Sequence, residues 1–129
     1  MRLSLIITAL ICIVSNAHAH GQGKSDISIG EAIICDTSEQ AQRYVTLRHG
    51  GSKAMAALQV VNTEANKASA CGAATVAFRR GETIGSERID GERVEVVKIT
   101  VLAFANKDGW VMMADTEQYA IIAPPGIET

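Results

Sequence analysis

Two cysteines place the tightest limit on what this chain can fold into. The sequence has 129 residues and three cysteines. Cys12 sits inside an apolar N-terminal run, whereas Cys35 and Cys71 lie beyond it. That run is built like a secretory signal peptide. Arg2 supplies the positive charge, Leu3 to Val14 is almost entirely apolar, and Ala17-His18-Ala19 matches the small-x-small cleavage pattern. It is short for a membrane span, which takes about 20 apolar residues. Ile11 stands where lipid attachment at Cys12 needs a small residue, so Cys12 is expected to leave with the signal and His20 to begin the mature chain. An exported chain with two remaining cysteines points to one disulfide, Cys35–Cys71. Closing so long a loop adds about 4 kcal/mol in the chain-entropy account. That is a large share of the roughly 5–15 kcal/mol that holds a typical domain together.

Composition narrows the function classes. Hydrophobic residues make up 47% and charged residues 20%, a globular balance. The net charge of −2 leaves no basic excess to neutralise phosphates, which argues against a nucleic-acid partner. Aromatics are only 4%, too few for a base-stacking platform. The most apolar later segment, Val94 to Ala105, carries Glu95, Lys98 and Thr100, so no membrane span is expected after signal cleavage. The expected location is the bacterial periplasm or the exterior.

His20 to Asp26 is Gly-rich and polar, residues 20–30 are assigned to a flexible leader, and Ile27 to Ile34 turns apolar. Ala32 to Cys35 reads as a strand. Asp36-Thr37-Ser38-Glu39-Gln40 opens a helix, with capping-box spacing for Asp36 with Glu39 and for Thr37 with Gln40. Ala41, Tyr44 and Val45 form its buried stripe, and Gly50-Gly51 ends it. Ser52 is placed to cap a second helix, in which Met55, Leu58 and Val61 recur every three residues. From Cys71 the period becomes alternating. Ala74, Val76 and Phe78 share a strand face that Arg79-Arg80-Gly81 is expected to end, and Thr83 to Ile89 is weakly strand-like. Asp90-Gly91 and Asn106-Lys107-Asp108-Gly109 are hairpin turns. The strand between them shifts its apolar phase from Val94/Val96 to Val97/Ile99/Val101, which signals a bulge or burial of both faces. Trp110 to Ala114 and Tyr119 to Ala123 complete the series. The order is β-α-α-β-β-β-β-β, an α+β fold with a helical hairpin packed on an antiparallel meander sheet. An SH3-like barrel with a helical insertion is the alternative. The single domain spans residues 31–123, and residues 124–129 form a tail.

Catalytic and metal-binding signals are sparse. An N-terminal His20 would chelate copper through its amine and ring, and His49 brought near would complete a T-shaped site. A cut after Ala17 would instead expose His18-Ala19-His20, a Cu(II)- or Ni(II)-binding arrangement. Against this, a glycine-rich leader is poor at building a rigid site, and no cofactor is the leading expectation. His49 at a helix end is favoured there by the helix dipole. Ser52 lies three residues on, but no G-x-S-x-G elbow marks it as a nucleophile. Glu82, Glu87, Asp90, Glu92 and Glu95 interleave with Arg79, Arg80, Arg88 and Arg93, which reads as a solvated, charge-paired face. Trp110 and Tyr119 are the large amphipathic aromatics of the late strands. Trp110 follows a tight turn, where it is expected to close the core, with a surface contact anchor as the alternative.

Ile34-Cys35-Asp36-Thr37, Val60-Val61-Asn62-Thr63-Glu64-Ala65-Asn66, Ala70-Cys71 and Val76-Ala77-Phe78 together resemble an uncharacterised family of small secreted or periplasmic proteobacterial proteins. In these a signal peptide precedes a compact domain with the same paired cysteines. The resemblance covers about residues 31–122. It implies export and the Cys35–Cys71 bond and brings no catalytic residue with it. The sequence therefore leads to a small exported binding module whose partner is another envelope protein or a small ligand, with contacts around Trp110, Tyr119 and the face of the helical hairpin. The alternatives are a copper-handling protein that uses His20 and His49, and a small hydrolase that uses His49 and Ser52.

Overall fold

A computed structural model describes residues 26–123. The expected signal peptide, His20 with most of the leader, and the tail at 124–129 lie outside the described residues. The order is β1 (Ser28–Cys35), α1 (Ser38–His49), α2 (Ala54–Glu64), β2 (Cys71–Ile89), β3 (Glu92–Asn106) and β4 (Gly109–Ile122). This is an α+β fold with an antiparallel sheet. β1 begins at Ser28, inside the stretch expected to be leader, because Ser28 to Cys35 pairs residue for residue with Phe78 to Cys71.

The helices follow local chemistry closely. Of the two possible capping boxes, the one at Thr37 forms. Thr37 Oγ1 accepts the Gln40 backbone N–H at 3.2 Å, and Gln40 Oε1 accepts the Thr37 N–H at 3.0 Å. Asp36 instead takes an ion pair from Lys67 Nζ at 2.6 Å. Ser52 does not cap α2. Its N–H donates to Leu47 O at 2.9 Å, closing the Gly50-Gly51 turn, where Gly51 sits at φ 103°. Lys53 is the N-cap, with no side-chain hydrogen bond. The buried stripe of α2 is Ala57 and Val61, and Met55 is 69% exposed. Burial four residues apart turns Met55 outward, against the three-residue recurrence expected of it.

Three strands follow the helices where five were expected. Arg79-Arg80-Gly81 does not end a strand. β2 runs through it with irregularities between Arg80 and Thr83 and between Thr83 and Gly85. Asp115-Thr116-Glu117 likewise stays within β4. There Val101 pairs Thr116 and Ala103 pairs Met112, so Leu102 alone faces Met113, Ala114 and Asp115. Bulges of this kind bend a strand without ending it. The Asp90-Gly91 turn has both residues at positive φ, 53° and 81°, as a two-residue hairpin requires. β2, β3 and β4 form the meander. β1 pairs β2 along its length and meets β4 through Ile33–Cys35 against Tyr119–Ile121, which closes the ring.

The core has two layers. One draws residues from all four strands and from no helix: Ala32, Val76, Phe78, Val97, Ile99, Val101 and Ala120. It fills the barrel interior. The other packs Ala41, Tyr44, Val45, Ala57 and Val61 of the helices on Ile89, Val96 and Ile121. The phase shift in β3 is therefore burial of both faces, with Val96 turned to the helices and Val97 to the interior. Cys35 and Cys71 stand directly opposite each other and are bonded. Asn62 of α2 clasps the same point. Its Oδ1 accepts the Cys71 N–H at 2.8 Å, and its Nδ2 donates to Cys71 O at 3.1 Å and to Ala68 O at 3.0 Å. No helix among the described residues is long and apolar enough to cross a membrane.

Two consequences are measurable. A Cβ on Gly81 would stand 2.7 Å from Lys98 O, whereas one on Gly85 would meet nothing within 4 Å. Gly81→Ala is expected to cost about 1–3 kcal/mol in a denaturant melt, and Gly85→Ala to be near neutral. Burial raises the Tyr44 pKa above the usual 10.0, against the pull of Arg48 beside it. The folded state then keeps a proton that the unfolded chain releases, so this stabilisation is complete below pH 10 and is lost as pH climbs above it. Thermal melts across that range should fall more steeply for the native protein than for Tyr44→Phe.

Candidate functional site

The helical hairpin covers only part of the sheet, and the uncovered outer face carries an apolar row between the polar rows Glu31/Thr75 and Arg79/Thr100/Glu117. Strand register places Ile29, Ala77, Ala103 and Met112 side by side across β1, β2, β3 and β4. Alternation along β4 brings Trp110 to the same face as Met112, opposite Ala105. Ile29 is 66% exposed, Met112 77% and Trp110 48%. Ile27, two residues before Ile29, is exposed as well. The alanines keep the middle of this face low, with Ala103 buried beneath its neighbours. The result is a shallow apolar floor rimmed by Ile29 on one side and by Met112 and Trp110 on the other.

The two aromatics singled out in the sequence are not brought together. Trp110 opens β4 on this face. Tyr119, near the other end of the strand, packs half-buried against the helix-side core. Ile29 escapes sequence reading because it falls in the presumed leader. Met112 carries a signal, the alternation Trp110/Met112, whose meaning depends on knowing that no helix covers that face.

His49 is exposed at the end of α1. Its Nδ1 donates to Arg88 O at 2.8 Å and lies 3.3 Å from Glu87 Oε1. No hydrogen bond joins it to Ser52 among the described residues, and the Ser52 carbonyl accepts from Arg48 at 2.9 Å. No group of three or more His, Cys, Asp or Glu residues that could hold a metal occurs among the described residues. His20, the other histidine of the copper reading, lies outside them.

Glu95 departs from the solvated face expected for the charged hairpin, with only 8% exposure. It shares the parity of Val97 and Ile99, so the strand carries it inward. Arg80 Nη2 donates to Glu95 Oε2, as does Thr83 Oγ1 at 3.1 Å, and Arg93 Nη2 lies 4.0 Å from Oε1. Both hydrogen bonds fall on Oε2, and Oε1 has only the more distant Arg93. A buried charge with these partners ties the bulged part of β2 to β3.

The grooves on the helical hairpin, one lined by Gln59, Asn62, Thr63 and Lys67 and another by Ala56, Val60 and Glu64, mix polar and apolar side chains and are open to solvent. The apolar sheet face is the surface best suited to recognition. Its exposure is checked by fluorescence of Trp110, the only tryptophan. The native emission should be red-shifted and readily quenched by acrylamide, with little further shift on unfolding. Comparisons with protein-family models, with curated proteins and with solved structures return no match to this chain.

Proposed function

We propose that this chain is a non-catalytic binding module of the bacterial envelope, exported by its N-terminal signal, and that it recognises a protein partner through the outer face bearing Ile29, Trp110 and Met112. The carrying observation is that row of large apolar side chains, exposed on the one sheet face the helices leave bare. Apolar side chains clustered on a surface mark contact sites more often than scattered ones do. Tryptophan is the residue most enriched at the energetic centres of interfaces. A shallow face suits a protein surface better than a small ligand, which needs a concave site that buries most of its area. The disulfide supports the exported location, since such bonds persist in oxidising compartments.

The test compares single substitutions on two faces of the folded protein. Trp110→Ser, Met112→Ser and Ile29→Ser should each leave the melting temperature almost unchanged. Trp110→Ser should weaken capture of the envelope partner by at least about 2 kcal/mol, the scale of an interface hot spot. Met55→Ser, on the exposed side of α2, should leave capture intact. Undiminished capture by Trp110→Ser would overturn the assignment of this face.

A further inference from the structure

The β2–β3 hairpin sets two like charges against each other. Arg88 of β2 stands directly opposite Arg93 of β3, a pairing that like charges disfavour. Both guanidiniums stay ionised. Two positions further along, Ser86 stands opposite Glu95 on the same sheet face. That face turns inward once the barrel closes. β4 ends its pairing with β3 at Ile122 opposite Glu95. Among the described residues, Arg88 and Arg93 therefore stand just beyond the closed ring, exposed to solvent.

Most of their donors are unspent. Arg88 Nη1 donates to Gly91 O at 3.1 Å, which holds that guanidinium over the turn. Arg93 makes no hydrogen bond among the described residues, and Glu95 Oε1, 4.0 Å from Nη2, draws it toward the barrel. Glu95 does not neutralise it, because its Oε2 already accepts from Arg80 and Thr83. The carboxylates around the turn are engaged or face away. Glu87 accepts the Arg88 N–H at 3.0 Å and lies 3.3 Å from His49 Nδ1, on the helix side. Asp90 takes Arg48 at 3.2 Å. Glu92 pairs with Ile89, whose face is turned to the helices. Ser86, Glu87, Arg88 and Arg93 line an open cavity of about 430 Å³.

We propose that this cavity binds a phosphate group, held between the Arg88 and Arg93 guanidiniums with the Ser86 hydroxyl as a further donor. Two unspent cations match a dianion, and charge-assisted bonds from guanidinium to phosphate are among the strong ones. A bound dianion also relieves the repulsion between the two arginines, so the ligand stabilises the fold. The site lies at the end of β3 away from Trp110. It stands or fails apart from the face that carries the binding-module reading.

The experiment is calorimetric titration of the exported, oxidised protein at low ionic strength with inorganic phosphate, glycerol phosphate and acetate, with thermal melts alongside. Phosphate or its monoester is expected to bind and to raise the melting temperature, with acetate about tenfold weaker or less. The tighter of the first two tells whether the ligand is free phosphate or a phosphomonoester. Arg88→Gln and Arg93→Gln should each weaken binding about tenfold. Their ligand-free melting temperatures should hold or rise, because each substitution lifts a like-charge contact. Arg79→Gln removes the same charge from the outer face and should change binding less than about twofold. No binding heat and no shift in melting temperature up to about 10 mM phosphate or monoester overturns the proposal. Acetate binding as tightly as phosphate overturns it as well. An equal loss in Arg79→Gln also overturns it, by showing diffuse attraction of anions in place of a site.

Discussion

The Cys35–Cys71 bridge is the constraint on which the rest of the molecule depends. It joins facing residues of β1 and β2 where the chain leaves the sheet for the helices and where it returns. The helical hairpin is thereby reduced to a closed loop fastened at its base. The Asp36 N–H to Ala70 O bond, the Lys67–Asp36 ion pair and the Asn62 clasp on Cys71 all converge at that base. Two short helices with modest apolar stripes would have little reason to dock unaided. Tethered in this way, they need bury only Tyr44, Val45, Ala57, Val61 and a few neighbours to complete the outer layer.

The barrel depends on a different device. Four strands close only if they are long and strongly bent, and the pairings of the meander carry irregularities that bend them. In β2 the kink lies at Gly81, where Lys98 O leaves no room for a side chain. Opposite it, Glu95 draws Arg80 and Thr83 together. In β4 the extra residues sit beyond Met112. They separate a part of the strand that serves the barrel from a part that projects with Trp110 and Met112. The same irregularity that closes the core therefore delimits the exposed face.

Much of the fold was legible because its signals are local. The Thr37/Gln40 box, the Gly50-Gly51 stop, the Asp90-Gly91 turn and the cysteine pair each announce themselves within a few residues or by count alone. What escaped depended on distant partners. Gly81 reads as a terminator unless Lys98 is known to press against it, and Asp115-Thr116-Glu117 reads as a turn unless β3 continues opposite. Glu95 looks solvent-facing because the hairpin from Arg79 to Glu95 is rich in charge, while its neighbours in space are Arg80, Thr83 and the bulged strand. Ser52 has the chemistry of a cap but is consumed by the turn before it. The exposed face was half legible. Trp110 stood out by type, whereas Ile29 acquires meaning only when register sets it in line with Met112.

The Arg80–Glu95 pair has a consequence for how this sequence can change over time. Its two members come from different strands and meet at the inner surface of the barrel. Loss of either alone strands the other charge in a poorly solvated place, while replacing both together by apolar residues of similar volume can be neutral or favourable. Drift at these two positions is therefore coupled. The sequence can leave its present state only by a paired step, or through an intermediate less stable than either end, which makes this corner of the barrel slow to diverge while the exposed face is free to adapt.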